Sequence, residues 1–235
     1  MPEPLPNLGK DEIRALSAED RRRYFQHRSA PPVTPFEDKP GFHYLLKVED
    51  VREWENALGG PLYLDIGAGM GRFLVGEAEK YPEVNFLGID SDYQCVKRNL
   101  QKLWNRQRQD RSLEQVRYFY GSVYHVMSAM EGPSVDRAYV NYPDPWFKKR
   151  HLKRRLVTVE LFENLRPLLK HGGEVFVQTD IDDYAEFINE QLEGVKGYDI
   201  TLNAHALFEG LTGTLYQEKA EKKGHNRHCY HLKKT

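Results

Sequence analysis

One carboxylate stands between two prolines, ahead of an indole and a dense run of cations, in Asn141-Tyr142-Pro143-Asp144-Pro145-Trp146-Phe147-Lys148-Lys149-Arg150-His151-Leu152-Lys153-Arg154-Arg155. Asp144 repels phosphate, whereas Lys148, Lys149, Arg150, Lys153, Arg154 and Arg155 attract it. A site that holds a nucleic-acid base beside its backbone needs both. The prolines fix φ and push the residues before them toward extended geometry, which places Asp144 on a stiff, non-helical loop. A surface turn followed by the solvated first turns of a helix is the competing reading of the same charges.

A second constellation is Gly67-Ala68-Gly69-Met70-Gly71. Small residues between a strand and a helix permit a tight turn and the approach of a ligand to the backbone. The third glycine comes one residue too early for the dinucleotide spacing, and Asp65 just before the turn would repel a pyrophosphate. Asp90 follows about twenty residues after the turn, where α/β nucleotide folds hold two ribose hydroxyls. Asp65 near a cationic amino-acid tail, Asp90 on a ribose and Ser122 near an adenine describe S-adenosylmethionine better than NAD. A strand-helix-strand unit whose glycines only pack and whose acids only cap helices is the plainer alternative.

These residues need a parallel sheet to position them. Strands are predicted at Leu62 to Ile66, Asn85 to Asp90, Val116 to Tyr120, Val135 to Asn141, Glu174 to Thr179, through Tyr198, Ile200 and Leu202, and at Cys229 to Leu232. Helices are predicted over Gly71 to Tyr81, after a Ser91 cap, through Val126 and Met130, over Leu156 to Leu169 with Gly172-Gly173 ending it, and after an Asp180 cap. Strand, glycine turn and helix repeated in this way specify an α/β fold. Gly210 to Gly224 shows no period and reads as a loop able to close over a ligand. Residues 1–45, rich in proline and charge with one helical stretch from Lys10 to His27, read as an arm; residues 46–235 read as the catalytic domain.

The chain of 235 residues, 40% hydrophobic and 29% charged, is in the globular range. Its net charge of -1 conceals cations gathered at Arg21 to Arg23, Lys148 to Arg155 and Lys219 to Lys234, so a polyanion can bind locally. Cys95 and Cys229 are too few and too far apart for a disulfide framework, and no apolar run approaches a membrane span. A cytoplasmic protein is expected. His225, His228, Cys229 and His231 are metal-ligand types, but on a strand His228 and Cys229 point to opposite faces and no second cluster completes a tetrahedral site; no metal is expected.

Asp65 to Gly71, Asp90, Pro143-Asp144-Pro145-Trp146 with its basic tail, Thr179-Asp180 and Thr214-Leu215-Tyr216-Gln217 closely resemble the bacterial tRNA (guanine-N7-)-methyltransferase family, from roughly Pro61 to the carboxyl end. The resemblance implies a class I methyltransferase: a Rossmann-like, doubly wound seven-stranded sheet with its last strand antiparallel, moving methyl from S-adenosylmethionine to N7 of a guanine (guanine-46) in the tRNA variable loop. By position it implies cofactor contacts at Asp65, Gly67, Gly69, Gly71, Asp90 and Ser122, a catalytic Asp144, and substrate contacts at Lys148, Asp180, Thr214, Tyr216 and Gln217. Asp180 would accept from guanine's donors and Tyr216 would stack on its ring. Whether the protein is a monomer or a homodimer is left open.

The sequence departs from the family at three places: glutamate is usual at Asp65, an acid at Ser122 and glutamate at Gln217. An amide at Gln217 offers one acceptor oxygen in place of a charged pair. This motivates an alternative function, an RNA-binding protein of the same fold with weak or lost catalysis. A methyltransferase of small molecules is a third reading, disfavoured by the basic run.

Overall fold

The computed structural model describes Phe36 and residues 39–235. The helix expected over Lys10 to His27 lies outside the described residues. Seven strands form one sheet, β1 (Leu62–Ile66), β2 (Asn85–Asp90), β3 (Val116–Tyr120), β4 (Val135–Asn141), β5 (Leu169–Thr179), β6 (Tyr198–Leu202) and β7 (His228–Lys234), in the order β3-β2-β1-β4-β5-β7-β6. The first five strands are parallel, and β7 runs antiparallel between β5 and β6. Strands such as Leu62–Ile66 are buried almost continuously rather than alternately, as a parallel sheet covered on both faces requires. Strand order reverses between β1 and β4, which opens a crevice at their carboxyl ends.

The α-helices are α1 (Val51–Asn56), α2 (Arg72–Lys80), α3 (Tyr93–Gln107), α4 (Val123–Ala129), α5 (Val159–Leu165), α6 (Asp182–Glu193) and α7 (Leu215–Lys223), with short 3-10 helices at Phe42–Tyr44, Val48–Asp50, Lys149–Arg154 and His205–Phe208. One core cluster joins Leu74 and Ala78 of α2 and Val96, Leu100 and Leu103 of α3 to Phe86, Val116 and Tyr118 of the sheet. Leu74, Leu100 and Leu103 are fully buried, each contributing roughly 1.5–3 kcal/mol. Phe36, Tyr44 and Leu45 join this cluster, and Leu45 bridges Tyr118 in parallel. A second, larger cluster holds α4, α5 and α6 against β1, β4 and β5 through residues such as Val126, Phe162 and Ile188.

Four local expectations are corrected. Asp92, not Ser91, caps α3: its Oδ1 accepts from the amides of Gln94 at 2.7 Å and Cys95 at 3.0 Å, satisfying two otherwise orphan donors. The fifth helix is Val159–Leu165 rather than Leu156 to Leu169, because Thr158 caps it and the chain enters β5 at Leu169. Gly172-Gly173 therefore lies inside β5, where the pairing with β4 shifts register, and a Cβ on Gly173 would meet the Lys170 carbonyl oxygen at 2.9 Å. Asp180 caps nothing; Ile181 precedes α6 without a side-chain cap. Finally, Gly210 to Gly224 contains α7, started by Thr214 and ended by left-handed Gly224.

Candidate active site

The crevice between β1 and β4 is a cleft of about 520 Å³. The glycine turn forms one wall. Gly69 adopts a left-handed φ of 51°, and a Cβ on Gly71 would lie 2.5 Å from the Tyr118 hydroxyl and 2.6 Å from Asn99 Oδ1, so both positions need glycine. The turn's amides are spoken for: Gly67 and Ala68 donate to the Ile89 carbonyl at 2.8 and 3.0 Å, Gly71 to the Ala68 carbonyl at 2.8 Å, and Gly69 to Asp90 Oδ2 at 2.7 Å. A phosphate would find none of these four free. Asp90 also accepts from the Asp92 amide through Oδ1 at 2.8 Å, so backbone donors fix its carboxylate at the end of β2.

Asp65 is 2% exposed and its Oδ2 has no hydrogen-bond partner. Burial, with Asp90 adding to it, pushes its carboxyl from the usual 3.8 up to about 7, against the opposing influence of the Asn141 side chain. Such an atom suits a ligand ammonium group. Burial also raises Asp90, offset by its two amide donors. The occupied amides, the unpartnered Asp65 oxygen and the carboxylate at the ribose position together fit S-adenosylmethionine.

The opposite wall is the loop after β4. Tyr142 and Trp146 take left-handed φ values of 51° and 46° on either side of Pro143-Asp144-Pro145, a conformation costing bulky residues about 1–3 kcal/mol each. Two bonds hold it: the Tyr142 amide donates to the Gln178 carbonyl, and Arg155 Nε to the Pro145 carbonyl, both at 2.8 Å. Arg155 is buried, pairs with Asp183, and lies 4.9 and 4.8 Å from the ring centroids of Tyr184 and Phe187. It is therefore an anchor of the loop, and the expectation that it joins the phosphate-attracting run is corrected. Lys148, Lys149, Arg150, Lys153 and Arg154 remain exposed, and Arg154 sits 5.0 Å from the Trp146 ring centroid.

Asp65, Gly67, Gly69, Gly71, Asp90, Ser122, Asp144, Thr214 and Tyr216 all line the cleft, whereas Lys148, Asp180 and Gln217 stand outside its lining. Asp144 is exposed at the mouth. Ser122 caps α4 by accepting from the Tyr124 amide at 3.3 Å, and its own proton remains available. Thr214 Oγ1 accepts from the Gln217 amide at 2.9 Å, which starts α7 and presents Tyr216 at 58% exposure. The Gln217 side chain instead donates to Glu221 at 2.9 Å. Asp180 meets His225 Nδ1 at 3.0 Å. His228 and His231 likewise face Asp182 and Glu174, and no cluster able to hold a metal occurs among the described residues.

Sequence reasoning passed over Arg72 and Asn141, which also line the cleft. Asn141 ends β4 as Asp65 nearly ends β1, so strand-end position was the available signal. Its Oδ1 accepts from Gln178 Nε2 at 2.6 Å. Arg72 is the first residue after the glycine turn, and its Nη2 lies 2.6 Å from Glu218 on α7, holding that carboxyl below its usual range.

A family model described as "Putative methyltransferase" matches residues 59–230. A tRNA (guanine-N(7)-)-methyltransferase of Halalkalibacterium halodurans is 33% identical over 176 residues, covering 73% of this chain and 78% of the relative. The chain belongs to the bacterial tRNA (guanine-N7-)-methyltransferase family. Another member, from Streptococcus mutans, is 30% identical over 188 residues, covering 77% of this chain and 87% of the relative. A member from a Synechococcus species is 39% identical over 137 residues, covering 57% of this chain; the chain spans 56% of that relative's length, and 60% of that of one from Thermosynechococcus vestitus. Among solved structures, an antibiotic-related methyltransferase superposes with a TM-score of 0.56 at 14% identity, covering 80% of this chain and 94% of the other. The 16S rRNA (adenine(1408)-N(1))-methyltransferase of Catenulisporales acidiphilia, solved with its cosubstrate, gives a TM-score of 0.54 at 17% identity, covering 80% and 91%. These likenesses establish the class I methyltransferase fold of the family. Among the described residues no helix is long and apolar enough to cross a membrane.

Proposed function

We propose that this chain transfers the methyl group of S-adenosylmethionine to N7 of a guanine, guanine-46, in the tRNA variable loop. The observation that carries the reading is one cleft holding the unpartnered Asp65 oxygen on its cofactor wall and the rigidly mounted Asp144 at its mouth. Relatives named tRNA (guanine-N(7)-)-methyltransferases support N7 of a tRNA guanine as the acceptor. When bound, S-adenosylmethionine supplies an electrophilic methyl group on a sulfonium centre.

The chain's residues do the rest. Asp65 accepts from the ammonium of the amino-acid tail, Asp90 presents its amide-fixed carboxylate to the ribose hydroxyls, and Ser122 stands at the adenine end. Guanine N7 carries a free lone pair, so no residue has to remove a proton; alignment and electrostatics suffice. Asp144 stabilises the purine as it becomes cationic, which makes it a charge partner rather than a general base. Tyr216 offers a face for stacking, and Lys148, Lys149, Arg150 and Lys153 hold tRNA phosphates from outside the cleft, with Arg154 at its edge. Gln217 on α7 and Asp180 between β5 and α6 are the further substrate contacts of this reading.

An assay of unmodified tRNA, with product mapped by cleavage at N7-methylguanine, tests this reading on the wild type and Asp144→Ala. The variant is expected to lose about a hundredfold or more in rate with S-adenosylmethionine affinity nearly unchanged. Equal rates would sink the mechanism, and tRNA binding without product in the wild type would favour the non-catalytic RNA-binding alternative.

A further inference from the structure

Resting on the reading that the cleft holds S-adenosylmethionine, we propose that Arg72 binds that ligand's carboxylate and that Glu218 competes for Arg72, so that cofactor binding releases the start of α7. The amino-acid end of the ligand is a zwitterion and needs an anion and a cation. Asp65, 2% exposed with an unpartnered oxygen, supplies the anion. Among the described residues lining the cleft the cations are Arg72 and Arg154. Arg154 lies against the Trp146 ring on the opposite wall. Arg72 follows the glycine turn that Asp65 leads into, on the cofactor wall.

The side chain of Arg72 is 43% exposed and its partner Glu218 44%. An ion pair this exposed is weak and readily exchanged, whereas a guanidinium fork meets a carboxylate through two parallel bonds. Glu218 lies in the first turn of α7, next to Tyr216 and Gln217 of the same turn. The segment before α7 is held separately. Buried Glu77 accepts from the Thr212 amide at 2.7 Å, and Lys80 donates to the Gly210 carbonyl at 2.8 Å. Loss of the Arg72 pair therefore removes the ion pair between the first turn of α7 and α2, while buried Thr214 and Ala220 and the tether before the helix stay in place. Coupling of this kind is reciprocal: tRNA that draws α7 away from Arg72 tightens the cofactor.

Calorimetric titration of the full chain with S-adenosylmethionine and with 5′-methylthioadenosine, which lacks the amino-acid tail, tests the assignment. Arg72→Ala is expected to weaken S-adenosylmethionine by roughly tenfold or more and to leave methylthioadenosine unchanged, which also shows that the variant is folded. Arg72→Lys recovers part of the loss, since it restores charge without the fork. Glu218→Gln tightens S-adenosylmethionine by about two- to fivefold and leaves methylthioadenosine unchanged. Equal loss for both nucleosides, or none for either, overturns the proposal. A loss confined to tRNA affinity makes Arg72 a phosphate contact and overturns it as well. A wild type that binds neither nucleoside removes the cofactor reading itself, a result distinct from lost selectivity with binding intact.

Discussion

On the cofactor wall the backbone fixes the key groups: Asp90 is held by two amides and four amides of the glycine turn are occupied, while the Asp65 oxygen is the carboxylate atom left open. Across the cleft the balance is reversed. Asp144 and Lys148 are exposed, and what is fixed there is the backbone beneath them, through Arg155 and the left-handed residues flanking the prolines. A small ligand is met by a wall finished in advance except for one cation, while a large one is met by side chains that it must itself organise. Preorganisation is concentrated where the partner is small and invariant.

Asp65→Asn would break the first half of this contrast most severely. Without ligand, burial holds the carboxyl up near 7, whereas an ammonium bound beside it favours the anion. The stabilisation of the ligand-free fold is fully present below the usual value near 4 and is lost as pH rises through about 7. The amide variant avoids that loss, and its ligand-free melting temperature should exceed the wild type's at pH of about 8, the gap closing toward pH of about 4. Its S-adenosylmethionine affinity should fall by roughly tenfold or more. Melting curves and calorimetry across this range would expose a contrary result as a fall in both stability and affinity.

The neighbouring arginines sharpen the second half. Arg155→Ala removes a buried guanidinium and its bond to Pro145, and should cost roughly 1–3 kcal/mol, read as a melting temperature several degrees lower. Arg154→Ala should leave melting unchanged while weakening tRNA and reducing the slope of log affinity against log salt by about 1. Interchanged effects would mean that the loop is anchored elsewhere. The smallest change is expected from Gln217→Glu. It trades the bond to Glu221 for an i,i+4 repulsion worth about 0.2–0.5 kcal/mol, so methylation should shift by no more than about threefold. A large loss in steady-state rate would give the amide its own role in the substrate site.

The sheet was legible where burial leaves a continuous apolar run, and β1 to β4 carry the predicted ends. β5 was cut short because Gly172-Gly173, which usually stops a helix, here serves a register shift within a strand. Helix α7 was hidden for a different reason: of its nine residues Ala220 is the buried one, so no apolar period exists, and the Thr214 and Gly224 caps were the remaining signal. Candidate residues at strand ends came from position in the fold, since parallel strands deliver their last residues to one crevice. Arg155 could not be told from Arg154 by type. What separates them is Asp183, Tyr184 and Phe187, which approach through α6 and are distant in sequence.

β6 reaches the sheet only through β7, which is made after it. During biosynthesis, β5 therefore keeps a bare hydrogen-bonding edge along Val175, Phe176 and Val177 until His228–Lys234 has left the ribosome. Such an edge is a template for pairing with another chain. A premature stop before β7 would therefore leave a nearly complete cofactor wall on a polypeptide prone to aggregate, making the intact carboxyl-terminal strand a checkpoint for solubility as well as a part of the fold.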